Sequence, residues 1–222
     1  MTPLGFFGRA LCLLVPCFAL WHYLAHFIAA PGTWLTAKIL MLWLPDYISS
    51  LSFENGVVTV ITTYGDMNGE LVPSARAGGA VGFRMNTRTL SYSIPFFTAL
   101  HFAVRLPSAV DSYLRGLAIL SLLLACGLIA VSLKDLMLTL GSTFLAAPSV
   151  PPANVIALAY QLSTLIVPPL APILVWALEA RHSPAVQALF PALFPGKKEA
   201  SEAEEDDDHR PPPPVGRSPL ER

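Results

Sequence analysis

Between Ala10 and Ala30 the chain reads ALCLLVPCFALWHYLAHFIAA, 21 residues without one charged side chain. A helix rises about 1.5 Å per residue, and roughly 20 apolar residues cross a hydrocarbon core about 30 Å thick. Such a segment belongs in a bilayer. Only 13% of the 222 residues are charged, against about 25% in an average soluble protein, so composition points the same way. Arg9, the apolar run and the small pair Ala29-Ala30 also resemble a secretion signal. The run exceeds the usual signal core, however, and Pro31 follows the would-be cleavage point, where its fixed backbone hinders a protease. The segment reads as an uncleaved anchor.

Three further spans are expected. Tyr92–Leu106 offers 15 residues before Pro107, with Arg105 able to snorkel to the interface. Leu114–Leu133 is a clean span closed by Lys134-Asp135, and Ala153–Leu178 is the fourth. Basic residues in short connections set orientation. Arg9, Arg105, Arg115, Arg181, Lys197 and Lys198 fall on one side of a four-span chain, and Lys134 on the other. Both termini are then cytoplasmic, and residues 31–91 face outward.

That outward segment has two parts. Within residues 31–50, Thr33–Leu44 is too short to span and carries Trp34 and Trp43, residues that favour the headgroup level. It reads as an interfacial helix, or as the first span continuing past a kink at Pro31-Gly32, ended by Pro45. Residues 51–91 change character. Asn55-Gly56 supplies the positive φ angles of a type I′ turn between Leu51–Glu54 and the β-branched Val57–Tyr64. Val81, Phe83 and Met85 alternate with Gly82, Arg84 and Asn86, the pattern of a half-buried strand. Gly65–Gly79 is turn-rich. A small antiparallel β-subdomain of three or four strands follows, too small to be stable alone and expected to pack on the Trp34–Trp43 helix or on a partner.

The fold class expected is therefore membrane α-helical. Its parts are helix 1 in residues 1–30, an interfacial helix in 31–50, the β-subdomain in 51–91, helices 2–4 in 92–195 and a tail in 196–222. The tail carries five Lys/Arg against eight Asp/Glu, with seven carboxylates between Glu199 and Asp208 and a run Pro211–Pro214. Self-repulsion leaves it nothing to pack, so it is expected to be disordered. The mildly basic body and acidic tail do not resemble a nucleic-acid-binding surface.

Candidate chemistry is sparse. Cys12, Cys17 and Cys126 lie in apolar runs without Cys-x-x-Cys spacing and read as small apolar fillers. His22 and His26 share a helix face and His101 lies in the second span; three imidazoles are a conceivable metal set. Their depths differ, and no carboxylate in the spans offers a supporting partner, so no metal or cofactor is assigned. Cys126, His101 and Arg105 are the residue types of a cysteine transpeptidase, but Cys126 sits mid-span, without aqueous access or a nearby charge to lower its pKa. No catalytic residue is assigned.

The most unusual local chemistry is Pro168-Pro169 and Pro172 in the fourth span. Their missing N–H groups free the carbonyls of Thr164, Leu165 and Pro168, which in hydrocarbon require other partners. A kink that shapes packing or docks a partner is the primary reading. The alternative is a small channel or carrier subunit using this break, although transporters normally repeat it in a second helix.

The segment IALAYQLSTLIVPPLAPILVWAL (Ile156–Leu178), with ALWHYLAHFIAAP early and LSYSIPFFTAL before the second span, resembles the exosortase H-associated membrane proteins. Tyr160-Gln161 followed by the Pro-Pro-Leu-Ala-Pro run is the most distinctive part, and the resemblance covers Ala10–Arg181. These are small bacterial inner-membrane proteins encoded beside an exosortase, a membrane transpeptidase acting on proteins with C-terminal sorting signals. The resemblance implies a non-enzymatic accessory role with an exosortase as partner. Tyr160, Gln161, Pro168, Pro169 and Pro172 are the residues singled out for docking.

Overall fold

The computed structural model describes residues 3–104, 109–181 and 183–189. The acidic tail and Arg105 lie outside the described residues. Among the described residues three helices are long and apolar enough to cross a membrane: residues 4–43, 109–140 and 153–180.

Helix α1 (Pro3–Trp43) runs 41 residues through Pro16 and Pro31, about 62 Å. The separate interfacial helix expected after Pro31 is therefore the outer half of one helix. Breaking the helix would strand backbone groups in an apolar setting, which favours keeping it. Tertiary contact also holds it: a Cβ on Gly32 would lie 3.0 Å from Leu124 Cδ2 and from Ser121 O. The buried Thr36 hydroxyl bonds Gly32 O at 2.8 Å and lies 3.3 Å from Ala125 O of the neighbouring helix.

After α1 come β1 (Ile48–Glu54) and β2 (Val57–Thr62), joined at Asn55 (φ 51°) and Gly56 (φ 79°). Both positive angles suit the type I′ turn expected there. β3 (Tyr64–Met67) and β4 (Glu70–Pro73) form a second hairpin, followed by α2 (Ser74–Ala77) and β5 (Gly82–Asn86). The order β1-β2-β5 makes a three-stranded antiparallel sheet, with Val58 opposite both Phe53 and Met85. Its inner residues Ile48, Val58, Val60 and Met85 pack on Leu40 and Leu44 of the first helix region and on Leu133, Leu136 and Leu140. The small sheet thus obtains its core from the helices beneath it.

Next come α3 (Arg88–Ser91) and α4 (Ser93–Ala103). The span expected at Tyr92–Leu106 is here an 11-residue helix, about 16 Å long and below the length of a full crossing. Two local causes shorten it. Pro95 cannot donate to Ser91 O, so the helix is interrupted at Tyr92, and Val104 turns extended at φ −106°, ψ 131°.

Helix α5 (Ala109–Leu140) is central: half of its most apolar window is buried, 50% against 11% for α1. α6 (Ser142–Leu145) follows. The last long helix is composite, α7 (Ala153–Gln161), a π turn (Leu162–Ile166) and α8 (Val167–Ala180), before the short α9 (Pro184–Leu189).

Contacts give the directions. Gly32 faces Ser121 and Thr36 faces Ala125, so α1 and α5 run parallel. Lys134 meets Tyr160 and Arg115 meets Glu179, so the composite helix runs antiparallel to α5. Trp21 bonds Ser91 at 3.3 Å, while Phe97 lies against Gly116, so α3–α4 carries the chain back from the sheet. Phe6 stacks on Trp176 at 5.3 Å, which brings the start of α1 beside the end of α8, away from the sheet.

Candidate functional site

A cleft of about 250 Å³ opens where the sheet meets the helices. It is lined by Arg84, Met85 and Asn86 of β5, Thr89 and Leu90 of α3, Leu128, Val131, Lys134 and Asp135 of α5, and Tyr160 and Thr164. The strand alternation already legible in the sequence sets one wall: Met85 points into the core and Arg84 and Asn86 outward. Asn86 then starts α3, its Oδ1 accepting the Arg88 N–H at 3.0 Å, and the Thr89 hydroxyl donates to Asn86 O.

The opposite wall depends on the two prolines. Pro168 and Pro169 lack the N–H groups that would bond the carbonyls of Thr164 and Leu165. The ladder widens before them, and the Val167 N–H reaches Leu162 O, five residues back. Single π turns of this kind recur at functional sites. The Thr164 hydroxyl donates to Tyr160 O at 2.8 Å within the same stretch. Tyr160 lies under Lys134, whose ammonium is 4.9 Å from the ring centroid, and Lys134 is ion-paired with Asp135.

The five residues singled out in the sequence divide. Tyr160 lines the cleft. Pro168 and Pro172 are buried, and Pro168 faces Leu90, Ser93 and Leu124 across a space of about 10 Å³. Gln161 and Pro169 are exposed on the outer side of the helix. The break is therefore two surfaces, an inner one closed by packing and an outer one open.

Sequence reasoning missed Arg84, Asn86, Thr89, Lys134 and Asp135 as neighbours of Tyr160. In the sequence Lys134-Asp135 marks only the end of a span, and nothing local signals that β5 folds back over it. The second hairpin was also missed, although Asn68 (φ 58°) and Gly69 (φ 88°) repeat the Asn-Gly signal of the first.

The other candidates lie apart. His26 stacks on Phe53 at 4.6 Å. His101 is buried among Phe97, Phe102 and Tyr113, with Nε2 2.8 Å from Ala109 O. Cys126 is exposed on α5. Among the described residues no group of three or more His, Cys, Asp and Glu gathers as a metal set would. Outside the helices, burial and then neighbouring Tyr64 and Asp46 raise the pKa of the Tyr47 phenol above its ordinary value.

A family model described as "Exosortase H-associated membrane protein" matches residues 1–183. No curated protein and no solved structure matches the chain.

Proposed function

Since this chain belongs to the exosortase H-associated membrane protein family, we propose that it is a non-enzymatic accessory protein of an exosortase-type sorting system. In this reading it supports processing of substrates that carry C-terminal sorting signals, and its partner is the exosortase transpeptidase. The family match over residues 1–183 carries the reading. On the same reading the protein resides in the bacterial inner membrane with both termini cytoplasmic. Of the segment 31–91 expected outside, the sheet (residues 48–86) is extracytoplasmic, while Gly32 and Thr36 lie against Ser121 and Ala125 in the membrane-crossing part of α5. The return of the chain through α3–α4 supports this, since α1 and α5 run parallel with the sheet between them in sequence.

Docking is assigned to the outer side of the composite helix, where Gln161, Leu162, Leu165 and Pro169 are exposed. The π turn rotates residues before it relative to those after it, which gives this face a shape that a regular helix lacks. The carrier alternative has no support: among the described residues the π turn occurs in one of three long helices, where a transporter would repeat its break.

The test is genetic. Deleting the gene should leave sorting-signal substrates unprocessed and absent from the surface, and the native gene should restore both. Unchanged processing in the deletion strain would remove the accessory role.

A further inference from the structure

The interfacial cleft carries charges that the accessory role does not use. Arg84 and Lys134 bring two cations to it, against the single carboxylate of Asp135. Among the described residues the Arg84 side chain makes no ion pair or hydrogen bond, its backbone pairing with Thr59 in the sheet, and the Tyr160 hydroxyl has no hydrogen-bond partner. Lys134 is held in place by Asp135 and by the Tyr160 ring. The deeper lining is apolar, with Met85, Leu90, Leu128 and Val131.

The depth of the cleft follows from α5. Between Arg115 and Lys134 lie 18 uncharged residues, Gly116–Leu133, about 27 Å of helix, close to the thickness of a hydrocarbon core. Arg115 pairs with Glu179 at one end of that stretch, and Lys134 meets Tyr160 at the other. Between Tyr160 and Glu179 the composite helix likewise has 18 uncharged residues. Lys134 and Tyr160 therefore mark the level at which hydrocarbon gives way to headgroups. A cleft that is cationic at its rim and apolar beneath, at that level, matches the junction between the head and tails of an anionic amphiphile.

We propose that this cleft binds the phosphate of an anionic phospholipid, with Arg84 and Lys134 on the phosphate, Tyr160 donating its free hydroxyl, and the acyl chains leaving along the composite helix. The cleft's volume of about 250 Å³ leaves room for a phosphodiester and its glycerol. The proposal does not depend on the exosortase reading.

Native mass spectrometry of the full chain, released from micelles containing equal phosphatidylglycerol and phosphatidylcholine of the same acyl composition, tests it. Phosphatidylglycerol should be retained preferentially. Retention should fall about fivefold for each cation removed by Arg84→Gln or Lys134→Gln, and stay unchanged in Arg76→Gln, an exposed residue outside the cleft. Arg84 is exposed, so its variant reports on binding even if Lys134→Gln unfolds the protein. Equal retention of the two lipids, or retention indifferent to Arg84→Gln, overturns the proposal. Displacement of the lipid by millimolar inorganic phosphate overturns its lipid source and leaves a free-anion site.

Discussion

Close approach between single side chains decides where this protein tolerates change. Gly116 is a clear case: a Cβ there would lie 2.2 Å from Phe97 Cζ and 2.8 Å from Cε1. The Phe97 ring is fully buried and boxed by Tyr113 at 5.8 Å and His101 at 5.5 Å, so it has no room to yield. Gly116→Ala should therefore destabilise the fold by about 1–3 kcal/mol through overpacking, read as a lower melting temperature in detergent. Gly127→Ala is the matched comparison. Its Cβ would meet Leu90 Cδ1 at 3.3 Å, the flexible end of a side chain, and it should melt closer to the native protein. Arg115 shows the opposite case. It reaches Asp111 and Glu179, but Arg115 and Asp111 are largely exposed, and such pairs contribute little to stability.

Among the elements, the composite helix best shows how backbone chemistry makes shape. Pro168 and Pro169 remove two donors, the ladder widens over Leu162–Ile166, and Tyr160 is turned under Lys134. Pro168→Ala with Pro169→Ala restores both donors, so a regular ladder becomes available. Amide hydrogen exchange over residues 162–169 should then slow, and docking of the partner should weaken because the outer face has rotated. Unchanged exchange would mean that packing alone, through Pro172 and Ala171, holds the π turn. Helix α1 teaches a complementary lesson. Pro31 leaves it unbroken because Gly32 and Thr36 are clasped by α5, and the Thr33 hydroxyl bonds Ala29 O at 2.9 Å beside the proline. A proline permits a bend, while the neighbouring helix determines whether the chain takes one.

At the scale of the whole molecule the question is which ends share a side. Reporter fusions at Asn68-Gly69, the tip of the second hairpin, and after Arg181 should report opposite sides of the membrane. Agreement between the two reporters would show that α3–α4 does not return the chain across the lipid. Much of this architecture was readable beforehand. The apolar runs at Ala10–Ala30, Leu114–Leu133 and Ala153–Leu178 mark the three long helices of the described residues, because length and apolarity are properties of a segment by itself. Asn55-Gly56 and the Val81–Met85 alternation mark the sheet for the same reason. The composite helix was likewise visible as a proline break, though not as a π turn. Three features depended on contacts between distant residues. Whether Pro31 ends a helix was decided by α5, and what supports a three-stranded sheet was decided by Leu40, Leu133 and Leu136. Which residues surround Tyr160 was decided by β5 folding over Lys134-Asp135. Local hydrophobicity and backbone chemistry determined from the sequence alone that this chain is a membrane protein with a small hairpin-built sheet. The position of the cleft came only from the tertiary structure, because its walls come from three separate stretches of chain, residues 84–90, 128–135 and 160–164, and no local pattern records which strand will lie over which helix.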